Sequence, residues 1–285
     1  MFQRQERVPI TGTVLFVPGD RADRIGKALA SGADTVVVDL EDAVDPARKQ
    51  RARELVVETL AAVTSAERPS TVVRINASGT EWADGDLAAV RQLAGVLDGV
   101  LVPKVEEPED VAAVPDELPV AAIVEGASGV FAAREIAAHP RVNAILFGSF
   151  DLAAELGVTP SADGRELLHA RSQTVLACAA AGIPGPIDGP HPSIDDLDGL
   201  ARGAAAAREL GFTGKVVLHP KQIDTVRAAF APTQAELDRA REVLAAYRAG
   251  DGTGALRLPD GTFVDRPVVV RAAGLLGLDA AEVLS

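Results

Sequence analysis

The chain has 285 residues, 47% hydrophobic and 24% charged, which is material for one large α/β domain or two small ones. A formal net charge of −13 without a compensating basic run argues against nucleic acid or an anionic membrane as partner, though a small anionic substrate needs only a few cations focused in one cleft. No apolar run reaches the ~18 residues of a membrane span, and the polar start Met1-Phe-Gln-Arg-Gln-Glu-Arg7 lacks a signal peptide's apolar region, so a cytoplasmic location is expected.

The first strand is expected at Thr13 to Val17, closed by Pro18-Gly19-Asp20 and followed by a helix from Ala22 to Ala30. Thr35-Val-Val-Val-Asp39 is a second, β-branched strand that runs out into the acidic cluster Asp39-Leu40-Glu41-Asp42. Pro46 opens a long helix to about Val63, at a first-turn position where its missing N–H costs nothing. Thr71 to Ile75 is a third strand with Arg74 near its end, and a helix follows from about Trp82 to Leu97. Gly99 to Val102 delivers Lys104 after Pro103, and a short helix is expected near Pro108 to Val114.

Two apolar runs, Val120 to Val124 and Asn143 to Phe147, are too short and too uniform to alternate, as strands buried on both faces of a parallel sheet read. The first ends in Glu125 and the second leads to Asp151. Between them Ser128 to Ala138 is expected to be helical, with Ser128 as its N-cap. Beyond Asp151, a helix over Asp163 to Ala181 carries the lone Cys178 as a packing residue. A weak strand at Pro186 to Asp188, a helix from Asp195 to Leu210 and a strand at Lys215 to Leu218 complete the count.

Eight repeats of short strand, polar loop and helix predict a closed (β/α)₈ TIM barrel over residues 1–231 rather than a doubly wound sheet, whose glycine-rich first turn is missing. Residues 232–285 depart from this rhythm. Thr233 caps a helix from Gln234 to about Arg248. Asp251-Gly-Thr-Gly254, Ala255 to Leu258, Pro259-Asp-Gly261 and Thr262 to Val264 read as a β-hairpin, and a last helix starts at Asp265-Arg266-Pro267. This helix–hairpin–helix extension is expected to serve as a lid or oligomer contact.

An ionisable residue follows nearly every strand: Asp20, Glu41 with Asp42, Arg74, Lys104, Glu125, Asp151, Asp188 and His219. In a barrel those positions converge on one mouth. Glu125 and Asp151, one strand apart, suit a hard divalent cation such as Mg²⁺ that keeps some of its waters. Arg74, inside an apolar strand, supplies a guanidinium for developing oxyanion charge. Together they suggest enolate or aldol-type chemistry on an oxo acid. The four histidines show no paired spacing for zinc.

These residues fall in motifs that run nearly end to end: Leu15-Phe-Val-Pro-Gly-Asp20-Arg21, Val38-Asp-Leu-Glu-Asp-Ala-Val44, Val73-Arg-Ile-Asn-Ala77, Leu101-Val-Pro-Lys104, Ile123-Val-Glu125, Asp151-Leu152, His219-Pro220 and Val264-Asp265. In their order and spacing the chain resembles the citrate lyase beta-subunit-like branch of the HpcH/HpaI aldolases. That resemblance implies a Mg²⁺-dependent carbon–carbon lyase acting on an acyl-CoA or acyl-carrier thioester, as a trimer or hexamer. It makes Glu125 and Asp151 the metal ligands and Arg74 the group that polarises the oxo acid, with Glu125 and Arg74 together contacting substrate. It gives Glu41 and Asp42 the ordering of metal waters and arginine, and Asp265 the acid/base role from a neighbouring subunit's tail. It also leaves Arg21 and Arg24 as candidates for thioester phosphates. A class II aldolase on free oxo acids such as pyruvate and a non-catalytic barrel subunit are the alternatives. The chain departs from the family at Gly126-Ala127-Ser128, where a Thr commonly follows the metal Glu, and at Ser149-Phe150, where Ala-Glu often precedes the metal Asp. Fewer contacts behind both metal ligands are expected.

Overall fold

The computed structural model describes residues 10–63, 68–161, 163–250 and 255–284. The polar amino-terminal run and the Asp251–Gly254 segment lie outside the described residues. The chain divides between Phe230 and Ala231 into two compact units.

The first unit is a closed barrel of eight parallel strands in sequential order, β1 Gly12–Pro18, β2 Thr35–Asp39, β3 Ser70–Arg74, β4 Gly99–Val102, β5 Val120–Val124, β6 Val142–Phe147, β7 Ile187–Asp188 and β8 Gly214–Val217. Successive strand side chains point to opposite faces, so each strand feeds two cores. Val14, Val37, Val72, Leu101, Ile123, Leu146, Ile187 and Val216 fill the barrel interior. Their neighbours Leu15, Val36, Val38, Val73, Val100 and Val217 join the larger core between the barrel and its helices. Closure rests on the pairing of Gly12 with Gly214. A Cβ at Gly214 would stand 2.1 Å from the Gly12 carbonyl oxygen, so only glycine lets β8 approach β1 this closely.

The helices around the barrel are α1 Ala22–Leu29, α2 Lys49–Ala61, α3 Ala83–Gln92, α4 Ala127–Phe131, α5 Ala133–Ala138, α6 Ser149–Glu155, α7 Leu168–Ala181, α8 Leu197–Leu210 and α9 Ile223–Phe230. Pro46 starts a 3₁₀ turn ahead of α2, with Asp45 capping Ala47 N at 2.9 Å. Three expectations need correction. The continuous helix Ser128–Ala138 is two short helices, offset at Ala132, whose ψ of 1° leaves the α region. Ser128 does not cap it: Gly126 holds the N-cap position and makes no side-chain bond. Asp151 lies in the first turn of α6, where the sequence predicts no helix before Asp163. Cys178 is fully buried in α7 within the outer core.

The second unit contains α10 Gln234–Ala249, a two-stranded antiparallel sheet of β9 Leu256–Arg257 and β10 Phe263–Val264, α11 Arg266–Leu275 and α12 Ala280–Leu284. Thr233 and Glu236 form a reciprocal capping box at the start of α10. Tyr247, Leu258, Val264 and Val269 share this unit's own small core. Among the described residues no helix is long and apolar enough to cross a membrane.

Candidate active site

The site begins at the carboxyl end of β2. Asp39, 1% exposed, accepts from Glu41 N at 2.8 Å and Ala43 N at 3.1 Å, which folds the acidic loop back over the strand end. Its two oxygens also receive Arg74 Nε at 2.7 Å and NH2 at 2.5 Å, a bidentate pair across neighbouring strands. Arg74 ends β3, with its guanidinium over the Phe16 ring at 5.3 Å. Its NH1 lies 2.8 Å from Glu41 Oε2 and 3.6 Å from Asp42. Burial opposes the guanidinium's charge, but the Asp39 hydrogen bonds and the three carboxylates outweigh it and hold the proton more firmly than usual.

Lys49, buried under the same loop, donates to the carbonyls of Leu40 and Glu41 at 2.8 and 2.9 Å and lies over the Trp82 ring. Burial pulls its ammonium pKa down. Asn76 also donates to the Leu40 carbonyl, at 2.9 Å. The acidic loop is thus fixed from two sides.

Lys104, just beyond β4, is the only described non-glycine residue with positive φ, at 52°. That turn aims its N–H at Glu125 Oε1, 2.8 Å away, while its ammonium bonds Glu41. Burial lowers the ammonium's affinity for its proton, yet the Glu41 hydrogen bond and the charges of Glu41, Asp42 and Glu125 give a net rise.

Glu125 follows β5 and is 6% exposed. Gly148 makes room for it, since a Cβ there would lie 2.3 Å from Glu125 Cβ and 2.7 Å from Oε2. Burial pushes Glu125 up to about 8; the Lys104 N–H pulls it back while the charges of Asp151 and Glu41 push further. Burial likewise raises Glu41, against the pull of Arg74 and Lys104. Glu155, the last residue of α6, accepts from Ala127 N at 2.9 Å. It caps α4 in place of Ser128 and ties the loop after Glu125 to the helix that carries Asp151.

Arg74, Glu41, Asp42 and Glu125 are therefore brought together, with Asp151 close enough to repel Glu125. Asp39, Lys49, Lys104 and Glu155 complete the network. Only the strand-end position of the first and third was a sequence signal for these four. Other strand-end groups are engaged elsewhere: Asp20 pairs with Arg48 at 2.6 Å, His219 caps Lys221 N at 3.1 Å, and Asp188 binds Lys215 and Arg171. Arg21 is exposed and lies 3.6 Å from Asp23. Asp265 belongs to the second unit and caps α11 through Val268 N at 3.4 Å.

This donor set fits a divalent cation. At full ionisation the carboxylates of Asp39, Glu41, Asp42, Glu125 and Asp151 outnumber the cations Arg74, Lys104 and Lys49 by two. Glu41 Oε2 is buried and, despite the nearby guanidinium, has no hydrogen bond of good geometry. Among the described residues no three His, Cys, Asp or Glu side chains gather as a complete cage. Two carboxylates plus waters are the usual protein share for Mg²⁺.

Residues 12–220 match the model of the HpcH/HpaI aldolase/citrate lyase family. A (3S)-malyl-CoA thioesterase of Cereibacter sphaeroides is 35% identical over 91% of each chain. A citrate lyase subunit beta-like protein of Mycobacterium tuberculosis is 39% identical over 92% of this chain and 93% of its own. The crystal structure of protein CitE from M. tuberculosis, in complex with magnesium, acetoacetate and coenzyme A, covers 95% of this chain and 98% of its own at 39% identity, with a TM-score of 0.82. The chain belongs to the HpcH/HpaI aldolase/citrate lyase family.

Proposed function

We propose that this protein is a Mg²⁺-dependent carbon–carbon lyase. Its substrate is a 3-hydroxyacyl-CoA or citryl-CoA-type thioester, cleaved to acetyl-CoA or another acyl-CoA plus an oxo acid such as oxaloacetate or glyoxylate, or formed from them in reverse. The observation that carries this reading is a strand-end arginine fixed by Asp39 beside Glu41 and a buried Glu125 whose charge calls for a cation. The solved relative with magnesium, acetoacetate and coenzyme A supports the same substrate class.

Glu125 and Asp151 would hold Mg²⁺, which supplies Lewis-acid polarisation of the oxo-acid oxygens when bound. Glu41 and Asp42 would order the water around it. Arg74, unable to lose its proton, offers a fixed donor to the oxygen that changes from hydroxyl to carbonyl. In cleavage the hydroxyl proton passes to solvent water, the C–C bond breaks as the carbonyl forms, and the electron pair of that bond passes to the thioester α-carbon. A proton is then returned to that carbon, and we assign this step to Asp265 from the tail of a neighbouring copy in a trimer or hexamer. Residues 232–285 would then act as lid and oligomer contact. A CoA thioester substrate supports a cytoplasmic location.

The similarity to (3S)-malyl-CoA thioesterases favours one second reading, hydrolysis of the thioester. Incubation with (3S)-malyl-CoA and with citryl-CoA, with Mg²⁺ or with EDTA, separates the two. The lyase yields acetyl-CoA and oxo acid in equal amounts, only with metal. A thioesterase yields free CoA and the hydroxy acid. Neither product set, from folded protein with Mg²⁺, would sink both readings.

A further inference from the structure

A cavity of about 480 Å³ opens outside the barrel wall between α6, α7, α8 and the strands β7 and β8. Ile187 and Val216 face the barrel interior, so their neighbours Asp188 and Lys215 face outward by strand alternation. Lys215 Nζ donates to Asp188 at 2.6 Å and to the Gly189 carbonyl at 2.7 Å. Arg171, from α7, lies 3.1 Å from the other oxygen of Asp188 and stacks over Phe212 at 5.0 Å. Two nearly buried cations therefore share one carboxylate. The Arg171 guanidinium has five N–H groups and one ionic partner, and it lines the cavity.

Two further carboxylates, Glu166 and Asp163, keep their charge in the lining and are held on the turn before α7. Glu166 accepts from Ser161 N at 3.1 Å and shares the Ser161 hydroxyl with Asp163, which also lies 3.3 Å from Arg165. Arg202 adds a further cation at the outer edge. The rest of the wall is largely apolar, including Phe150, 41% exposed, with Leu167 and Ala206. At the inner wall two cations share the single Asp188 carboxylate beside an apolar hollow of ligand size, a local arrangement that matches an anion with a hydrocarbon body.

We propose that this cavity is a second binding site, separate from the barrel mouth, for a small monocarboxylate whose head group meets Arg171 and whose aliphatic chain lies against Phe150 and Leu167. Gly203 gives an independent handle, because it lines the cavity from α8 and a Cβ there meets nothing within 4 Å.

The test is calorimetric titration of the full-length protein with hexanoate and with 1-hexanol, without Mg²⁺, for wild type, Arg171→Gln, Arg202→Gln, Gly203→Leu and Glu125→Ala, each checked for folding by circular dichroism. The proposal expects saturable one-to-one hexanoate binding, much weaker binding of hexanol, and at least tenfold loss of hexanoate affinity in Gly203→Leu and Arg171→Gln. If Arg171→Gln does not fold, Arg202→Gln reports the charge requirement with a smaller loss. Glu125→Ala should bind hexanoate as wild type does. Absence of saturable binding at millimolar hexanoate, binding untouched by Gly203→Leu, or loss of binding in Glu125→Ala would each overturn it, the last by moving hexanoate to the barrel mouth.

Discussion

The backbone N–H of Lys104 lies 2.8 Å from Glu125 Oε1, a contact that requires the left-handed turn at Lys104, φ 52°. One residue thereby orients the buried carboxylate with its main chain and neutralises Glu41 with its side chain. Lys104→Gly relieves the turn and keeps the N–H, while Lys104→Ala keeps the strain; both lose the ammonium. We expect Lys104→Gly to be more stable than Lys104→Ala by about 1 kcal/mol in urea denaturation. Both should lose oxo-acid affinity relative to wild type, because Glu41 loses one of its two cations and draws more on Arg74.

Gly148→Ala places a methyl 2.3 Å from Glu125 Cβ. Neither backbone can yield freely, so the carboxylate must move. The expected cost is about 1–3 kcal/mol of stability, with Mg²⁺ affinity falling alongside it. Denaturation and Mg²⁺ titration on the same sample check both.

Proton release from Glu125 is linked to folding and to metal. Its folded value of about 8 lies above the ordinary 4.5, because burial disfavours the charge. Between those values the unfolded chain has already released the proton that the folded chain retains. Metal-free stability should therefore decline as pH rises from 4.5 to about 8 and level off above it. Mg²⁺ must displace that proton, so its apparent affinity should climb about tenfold per pH unit up to about pH 8 and plateau beyond it. Glu125→Gln should make the stability slope shallower, leaving the share contributed by Glu41. Urea melts in EDTA and Mg²⁺ titrations across the range measure the two effects.

Glu155 joins the two carboxylate-bearing segments through Ala127 N. Removing the acid in Glu155→Ala uncaps α4, at about 1 kcal/mol. By loosening the support behind Glu125 and Asp151 it should cost roughly tenfold in Mg²⁺ affinity. Calorimetry on Glu155→Ala and Glu155→Gln reads this directly.

The barrel was legible because its strands are runs of β-branched residues with sharp ends: β2, β4 and β5 begin and end where the sequence places them. Arg74 and Glu125 were legible for a related reason, as charges at the margins of apolar runs. What escaped was contact across long separations. The Asp39–Arg74 fork spans 35 residues and Glu155–Ala127 spans 28, and no local pattern encodes either. Ser128 had the right chemistry for a cap, but a distant carboxylate took the Ala127 N–H. Asp188 was misread for want of orientation. In a two-residue strand the sequence does not reveal which face turns outward, and the structure spends this acid on Lys215 and Arg171.

The most direct test of the account is calorimetric binding of oxaloacetate, with and without Mg²⁺, to wild type, Glu125→Ala and Asp151→Ala. The account predicts binding to wild type only when Mg²⁺ is present and its loss in both variants. Oxaloacetate binding that is indifferent to Mg²⁺, or retained in both variants with metal present, would contradict it.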